Sequence, residues 1–489
     1  MTQQMVEVWA SDLNANSFDN CPGDLIFSFS PNTNDLSQIF DCDDVEDPVN
    51  VEIWVTDAAG NQDFCTTFID IQANMDQCDD SLAVHVGGAI QTELNEGVEN
   101  VNVQLSGFGQ MSVMTDAAGS FSFPVSLGGD YTVTPSKDDD HLNGVTTFDL
   151  VKATKHILGV ELLNSPYKII AADANKSGTV TTFDVVLIRK LILYINDEFP
   201  GNTSWRFIDK DYVFPNSLNP WQEFFPEVIN FNNVAQDILG ADYVAVKIGD
   251  LNGSATPNFA SAGEDRSMTG SLVFNVENER LDAGETYTVD FKATDFDVQG
   301  YQFTLNFDQN KVEFVEVAPA IAGAENFGFT LLNEGVITAS WNDDNVKLAG
   351  DQVIFSLVFK AIQNANLNNV IAVNSRYTVA EAYDTNGDLL DVELAFNGAT
   401  VASAFELYQN TPNPFSKQTI IGFTLPEAST AKLTITDVSG KVVKVLENEY
   451  AKGYNEIKLQ RNEFASKGIL YYQLDTDTDS ATKMMILID

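Results

Sequence analysis

Between Asp173 and Asp184 the chain reads DANKSGTVTTFD, and oxygen-bearing side chains recur at its first, third, fifth, ninth and twelfth positions: Asp173, Asn175, Ser177, Thr181 and Asp184. The seventh position, Thr179, would contribute its carbonyl, and Gly178 at the sixth permits a sharp turn. Oxygen donors at this spacing suit a hard divalent cation, calcium above all. The same residues also fit an Asx-rich turn that caps a helix, with Asp184 in the first turn. A second, weaker stretch lies upstream: Asp138 and Asp140 fall at positions one and three, Thr146 and Asp149 at nine and twelve. Leu142 occupies the fifth position and cannot ligate, so this loop is expected to shift register and use Asn143 or water.

Each stretch runs into an apolar-periodic segment, LVKATKHIL after Asp149 and VVLIRKLIL after Asp184, which predicts two helices with one buried stripe each. The string VTTFD occurs in both, and no helix-shaped sequence precedes either loop. Paired loop–helix halves of this kind resemble a type I dockerin over residues 138–195. That resemblance implies antiparallel helices packed under calcium and a protein partner, or a neighbouring domain, held by residues at loop positions ten and eleven and by a basic pair further on. In this sequence those are Thr182 and Phe183 with Arg189 and Lys190, and Thr147 and Phe148 with Thr154 and Lys155. Phe at position eleven and Thr154 in a usually basic place depart from the family pattern.

The surrounding sequence alternates apolar and polar residues in strand-length runs such as VNVEIWVTD and FCTTFIDIQ. At 489 residues the chain is long enough for several domains. Its formal charge of −45 argues against nucleic acid and anionic membranes and favours cationic partners. From Phe405 onward nine basic residues face eleven acidic ones, so nearly all the excess charge lies before that point, which marks a boundary. Cys21, Cys42, Cys65 and Cys78 all fall in the first eighty residues without a CxxC pair, and two disulfides in an exported domain are expected, with three pairings open. No apolar run is long enough to span a membrane as a helix. The opening MTQQMVEVWASD lacks the features of a signal peptide, so this sequence is expected to be the C-terminal part of a longer exported protein.

Residues 1–79, with DNC and DAAGNQDFC, resemble hyalin-repeat or immunoglobulin-like modules, and GVENVNVQLSG with GGDYTVTPSK resembles a carboxypeptidase regulatory-like sandwich over 80–136. Residues 137–253 are expected to hold the calcium module and an irregular extension, and 254–267 a linker. Over 268–402, GYQFTLNFD, VEFVEV and IFSLVFKA resemble a cohesin-like β-sandwich. Over 403–489, LYQNTPNPF, KLTITDVSGKVVKVL and the terminal KMMILID resemble the type A sorting domain of type IX secretion cargo, which implies recognition by a translocon, removal by a sortase and display at the cell surface.

The expected fold is therefore mainly β: a multi-domain chain of β-sandwiches with one small α-helical dockerin-like calcium-binding module. His85, His141 and His156 form no catalytic pattern, and no nucleophile elbow, HExxH or phosphate loop occurs. The expected function is non-catalytic, adhesion or scaffolding at the cell surface. The alternatives are the accessory tail of a secreted polysaccharide-degrading enzyme, and glycan binding by the cohesin-like domain through aromatics such as Trp341.

Overall fold

The computed structural model describes residues 6–15, 17–19, 23–40, 44, 48–71, 84–258, 268–318, 320–343, 346–397, 399–400, 405–465 and 467–488. Strands dominate. Near the N-terminus Val49–Thr56 and Gln62–Ile69 form a hairpin around AAGNQ, whose turn is set by Asp57 accepting from the Ala59 and Asn61 amides at 2.8 Å. Cys65 is exposed on the second of these strands and carries no disulfide. Cys21, Cys42 and Cys78 lie outside the described residues. Cys65 thus departs from the expected two disulfides: it lies opposite Ile53 on a strand that, among the described residues, pairs with Val49–Thr56, and its own position is left exposed.

Residues 84–258 build one larger unit. Two four-stranded sheets face each other, and each takes strands from both ends of the segment. Trp205–Asp209 and Tyr243–Lys247 join Val84–Thr92 and Ser120–Val125 in one sheet, while Ile229–Phe231 extends the Tyr131–Ser136 edge of the other. Tyr243–Lys247 is buried along its whole length and runs parallel to Val84–Thr92. The stretch after 196 is therefore no irregular extension. It completes the sandwich begun at 84, around Val86, Ile90, Val103, Phe123, Val133, Phe207 and Ala245.

The helices are inserted between those halves. Helix α1 spans Thr147–Leu158, α2 Pro166–Ala172 and α3 Thr182–Ile192. Local signals fix their ends. Thr146 with Asp149, and Thr181 with Asp184, make reciprocal capping boxes that satisfy first-turn amides. Pro166 sits in the first turn of α2, where its missing N–H costs nothing, and Gly159 ends α1 in the left-handed region at φ 69°. Leu150, Ala153, Ile170, Leu187, Ile188 and Leu191 close a core that continues into Ile208, Val246 and Ile248 of the sandwich.

Residues 271–400 form a strongly curled sheet whose strand order places Val298–Phe307 between Glu381–Asp384 and Val336–Asn342. Inside it Phe274, Phe291, Tyr301, Phe303 and Phe355 interlock as an aromatic core. The last unit pairs a three-stranded with a four-stranded sheet around Phe423, Leu433, Tyr472 and Met485. Of its opening motif, Phe415 is buried, Asn410 donates to the Pro412 carbonyl at 3.0 Å, and Asn413 accepts from the Ile486 amide at 2.8 Å.

Candidate functional site

The strand Val298–Phe307 poses a physical question. Alternation sends Tyr301, Phe303 and Leu305 into the aromatic core, so Gly300, Gln302 and Thr304 face outward and ought to be solvated. Yet Gln302 is 2% exposed and Thr304 0%, as are Thr338 at 1% and Ser340 at 0% on the neighbouring strand. A polar face is buried only where partners meet its hydrogen-bonding groups. For Gln302, Ser340 and Thr338 those partners are α1 and the end of α3, whereas Thr304 is met within its own unit by the Thr378 carbonyl and the Tyr377 and Thr378 amides.

At one end of the helix pair, the first-turn amide of Thr147 donates to Gln302 Oε1 at 2.7 Å, and its hydroxyl lies 2.6 Å from Ser340 Oγ. The adjacent Phe148 ring stacks on Tyr383 at 4.9 Å. Because α3 runs antiparallel to α1, its C-terminal end meets the same sheet. There the orphan carbonyls that every helix leaves are taken up by threonines: Thr378 donates to Ile192 O at 2.8 Å, Thr338 to Leu193 O at 2.7 Å and Thr330 to Tyr194 O at 2.8 Å. Lys155 reaches Gln299 at 2.6 Å and Arg189 reaches Asn342 at 2.5 Å. The backbones come close enough that a β-carbon on Gly328 would lie 2.1 Å from Leu193 O, and one on Gly300 would lie 2.9 Å from Thr147 Cγ2. Glycine is required by proximity.

Of the residues singled out for partner contact, Thr147, Phe148, Arg189, Thr154 and Lys155 lie in this interface. Thr182, Phe183 and Lys190 face solvent, Phe183 being 56% exposed. The sheet side, Gln302, Thr338, Ser340, Asn342 and Thr378, went unnoticed in the sequence, because polar residues alternating with apolar ones read as an ordinary solvated strand face. Trp341 is no sugar platform. It is 4% exposed and stacks on Tyr301 inside the core, since its position in the alternation points inward.

The Asp173–Asp184 loop lies at the opposite end of α3 from this interface. Asp173 Oδ1 accepts from the Ser177 amide at 2.8 Å and Oδ2 from the Gly178 amide at 2.7 Å, while Asn175 Oδ1 accepts from Ser177 at 3.0 Å. Asp184 Oδ2 accepts from Thr181 N and Oγ1, and its Oδ1 from the Asn175 amide at 3.3 Å. Both carboxylates are fully buried. Burial, with the charge of Asp184 adding to it, pushes the Asp173 pKa up, and no lysine or arginine lies within ion-pair distance among the described residues. Asp173, Asn175, Ser177, the Thr179 carbonyl, Thr181 and Asp184 thus present a hard, oxygen-only donor set that fits calcium. No three acidic, histidine or cysteine side chains converge among the described residues; here the remaining donors are neutral oxygens.

The upstream loop is built differently from its expected form. Asp138 Oδ1 accepts from the Ser204 amide at 2.8 Å and lies 3.2 Å from His141 Nε2. Asn143 brackets the Thr256 backbone with two 2.9 Å bonds. Asp140 occupies a left-handed turn at φ 45°. Only Thr146 and Asp149 keep the arrangement seen in the second loop. Asp138 and Asn143 instead tie the start of the insert to Ser204 and Thr256.

Residues 274–394 match the Cohesin domain family, and residues 411–488 match the secretion system C-terminal sorting domain. Among solved structures, the chain is similar to a type I cohesin–dockerin complex from Clostridium thermocellum (18% identity, 27% of this chain and 94% of that one, TM-score 0.22). It is also similar to a non-cellulosomal cohesin from the archaeon Archaeoglobus fulgidus (16%, 26% and 87%, TM-score 0.21) and to a type II cohesin from the cellulosome of Acetivibrio cellulolyticus (12%, 25% and 91%, TM-score 0.20). No curated protein matches the chain. The class is a multi-domain β protein carrying a Cohesin domain. Its type IX sorting domain marks it as secreted and displayed at the cell surface. No helix among the described residues is long and apolar enough to cross a membrane.

Proposed function

We propose that the chain is part of a non-catalytic surface scaffold or adhesin in which a calcium-stabilised, dockerin-like module pairs in cis with the Cohesin domain. The observation that carries this reading is the buried polar face of Val298–Phe307 and Val336–Asn342, whose Gln302, Thr338 and Ser340, with Thr378 beside them, bond the two helices of residues 147–193. Here the chain's own insert covers that face. Because that insert shares its core with the preceding sandwich, docking fixes the angle between two domains. A fixed angle suits a surface stalk, which must hold distal modules in a set orientation.

The type IX translocon and a sortase are the processing partners this reading implies, and calcium is its ion. Small-angle scattering on the full chain provides the test. With calcium the scattering is that of the docked form; in excess chelator the radius of gyration rises as the Cohesin domain separates. A radius unchanged by chelation would overturn the calcium-stabilised pairing.

A further inference from the structure

Asp149 is buried at the start of α1, and it shares its surroundings with a second buried carboxylate, Asp250, from the far end of the unit. The stretch Asp250–Ala255 reads DLNGSA, against DANKSG at Asp173–Gly178, so Asp, Asn and Ser recur at the first, third and fifth positions. Their hydrogen bonds recur as well. Asp250 Oδ1 accepts from the Ser254 amide four residues on at 3.1 Å, and Oδ2 from the Ala255 amide five residues on at 2.8 Å, as Asp173 does with Ser177 and Gly178. Asn252 Oδ1 accepts from Ser254 at 3.0 Å, as Asn175 does from Ser177. Position four is left-handed in both, Gly253 at φ 75° and Lys176 at φ 56°.

The second half of the loop comes from elsewhere in the chain. Counting back from Asp149 as position twelve, Thr146 is nine and Gly144 seven. Ser254 Oγ donates to the Gly144 carbonyl at 3.0 Å, matching Ser177 Oγ to the Thr179 carbonyl at 3.2 Å. Thr146 bonds Asp149 Oδ2 through N at 2.8 Å and Oγ1 at 3.1 Å, as Thr181 bonds Asp184 at 2.8 and 3.0 Å. The Leu251 amide donates to Asp149 Oδ1 at 2.7 Å across 102 positions. At the seam, a β-carbon on Gly144 would lie 2.4 Å from Ala255 N and Cα, so position seven abuts position six through space and must be glycine. Position six no longer has to turn the chain, and alanine replaces glycine there.

Resting on the calcium reading of the Asp173–Asp184 loop, we propose a second divalent-cation site of the same design. It is assembled from two separate segments, with Asp250, Asn252, Ser254, the Gly144 carbonyl, Thr146 and Asp149 as its donors. Charge balance points to a cation independently of that pattern. Two buried carboxylates sit together with no lysine or arginine within ion-pair distance among the described residues, and the nearby Lys247 ammonium is turned to the His141 and Ile248 carbonyls at 2.7 and 3.3 Å. An ion there staples the two ends of the helical insert. It also braces Thr146, whose neighbour Thr147 makes the contact to Gln302.

Calcium titration of the full chain by calorimetry decides the matter. Two tight equivalents are expected, with Asp173→Asn removing one, Asp250→Asn the other, and the double variant both. Asn252→Ala, which keeps Asp250 and its backbone bonds, is expected to weaken one equivalent at least tenfold and supplies the readout if Asp250→Asn does not fold. One equivalent lost in Asp173→Asn, with Asp250→Asn and Asn252→Ala unchanged, overturns the split site and leaves the contiguous loop standing. No tight equivalent in the unmodified chain overturns both.

Discussion

Replacing Thr338 and Thr378 together by valine isolates the docking from the fold of either partner. Valine keeps the volume of threonine and removes only the hydroxyls that donate to Leu193 O at 2.7 Å and Ile192 O at 2.8 Å. Both carbonyls then stay buried against an apolar surface without a donor whenever the helices are docked. A buried polar group stripped of its partner costs about 1–3 kcal/mol, so the pair costs about 2–6 kcal/mol of docking free energy. Every 1.4 kcal/mol is about tenfold in an equilibrium constant, so opening of the interface rises roughly 30-fold or more. Hydrogen–deuterium exchange with mass spectrometry on the full chain reads this directly, because exchange of interface amides tracks the opened population. Peptides covering α1, the C-terminal half of α3 and Val298–Phe307 should speed up, while the aromatic core strand Asp351–Ala361 should not. Interface exchange within threefold of the unmodified protein would refute the reasoning.

Trp221 packs over the second loop, 3.7 Å from where a Gly178 side chain would begin, so terbium bound there should show tryptophan-sensitised luminescence that Asp173→Asn abolishes and Trp221→Phe strongly reduces. Burial lowers the Lys247 pKa from 10.5 to about 8. Between those values the unfolded chain holds a proton that the folded chain has released, so stability rises with pH across that window by about 3 kcal/mol and is lost again as pH falls through it. Urea unfolding should trace that rise, and Lys247→Met should flatten it. Finally, mass spectrometry of surface-extracted material should find peptides from 268–400 without those from the sorting domain; an intact C-terminus at the surface would count against its removal.

Much of this architecture was legible because its signals are local. The apolar spacing of LVKATKHIL and VVLIRKLIL marks α1 and α3, and the TTFD strings before them supply the capping boxes that fix their starts. What failed was non-local. YVAVK reads as a strand from its own pattern, but the sandwich it joins is not legible there, because Tyr243–Lys247 pairs Val84–Thr92 about 150 positions upstream and Ile229–Phe231 pairs Tyr131–Ser136 about a hundred upstream. The Asp-x-Asn-x-Ser spacing of DLNGSA repeats that of DANKSG, but it lies about a hundred positions from Asp149, so adjacency draws attention to Asp138, Asp140 and Asn143 instead. The covered sheet face was hidden for another reason. Gln302 and Ser340 have the polarity of solvated positions, and only the docked helices reveal that water is absent.

A cross-link tests the cis pairing most directly. With the native cysteines replaced by serine, Thr147→Cys and Ser340→Cys would put two sulfurs where two hydroxyl oxygens now stand 2.6 Å apart, within reach of a disulfide. Oxidation of the dilute full chain in calcium should give a monomer whose peptide digest contains the 147–340 linked pair in near-quantitative yield. Failure to form that link, or its formation only between separate chains, would contradict the account.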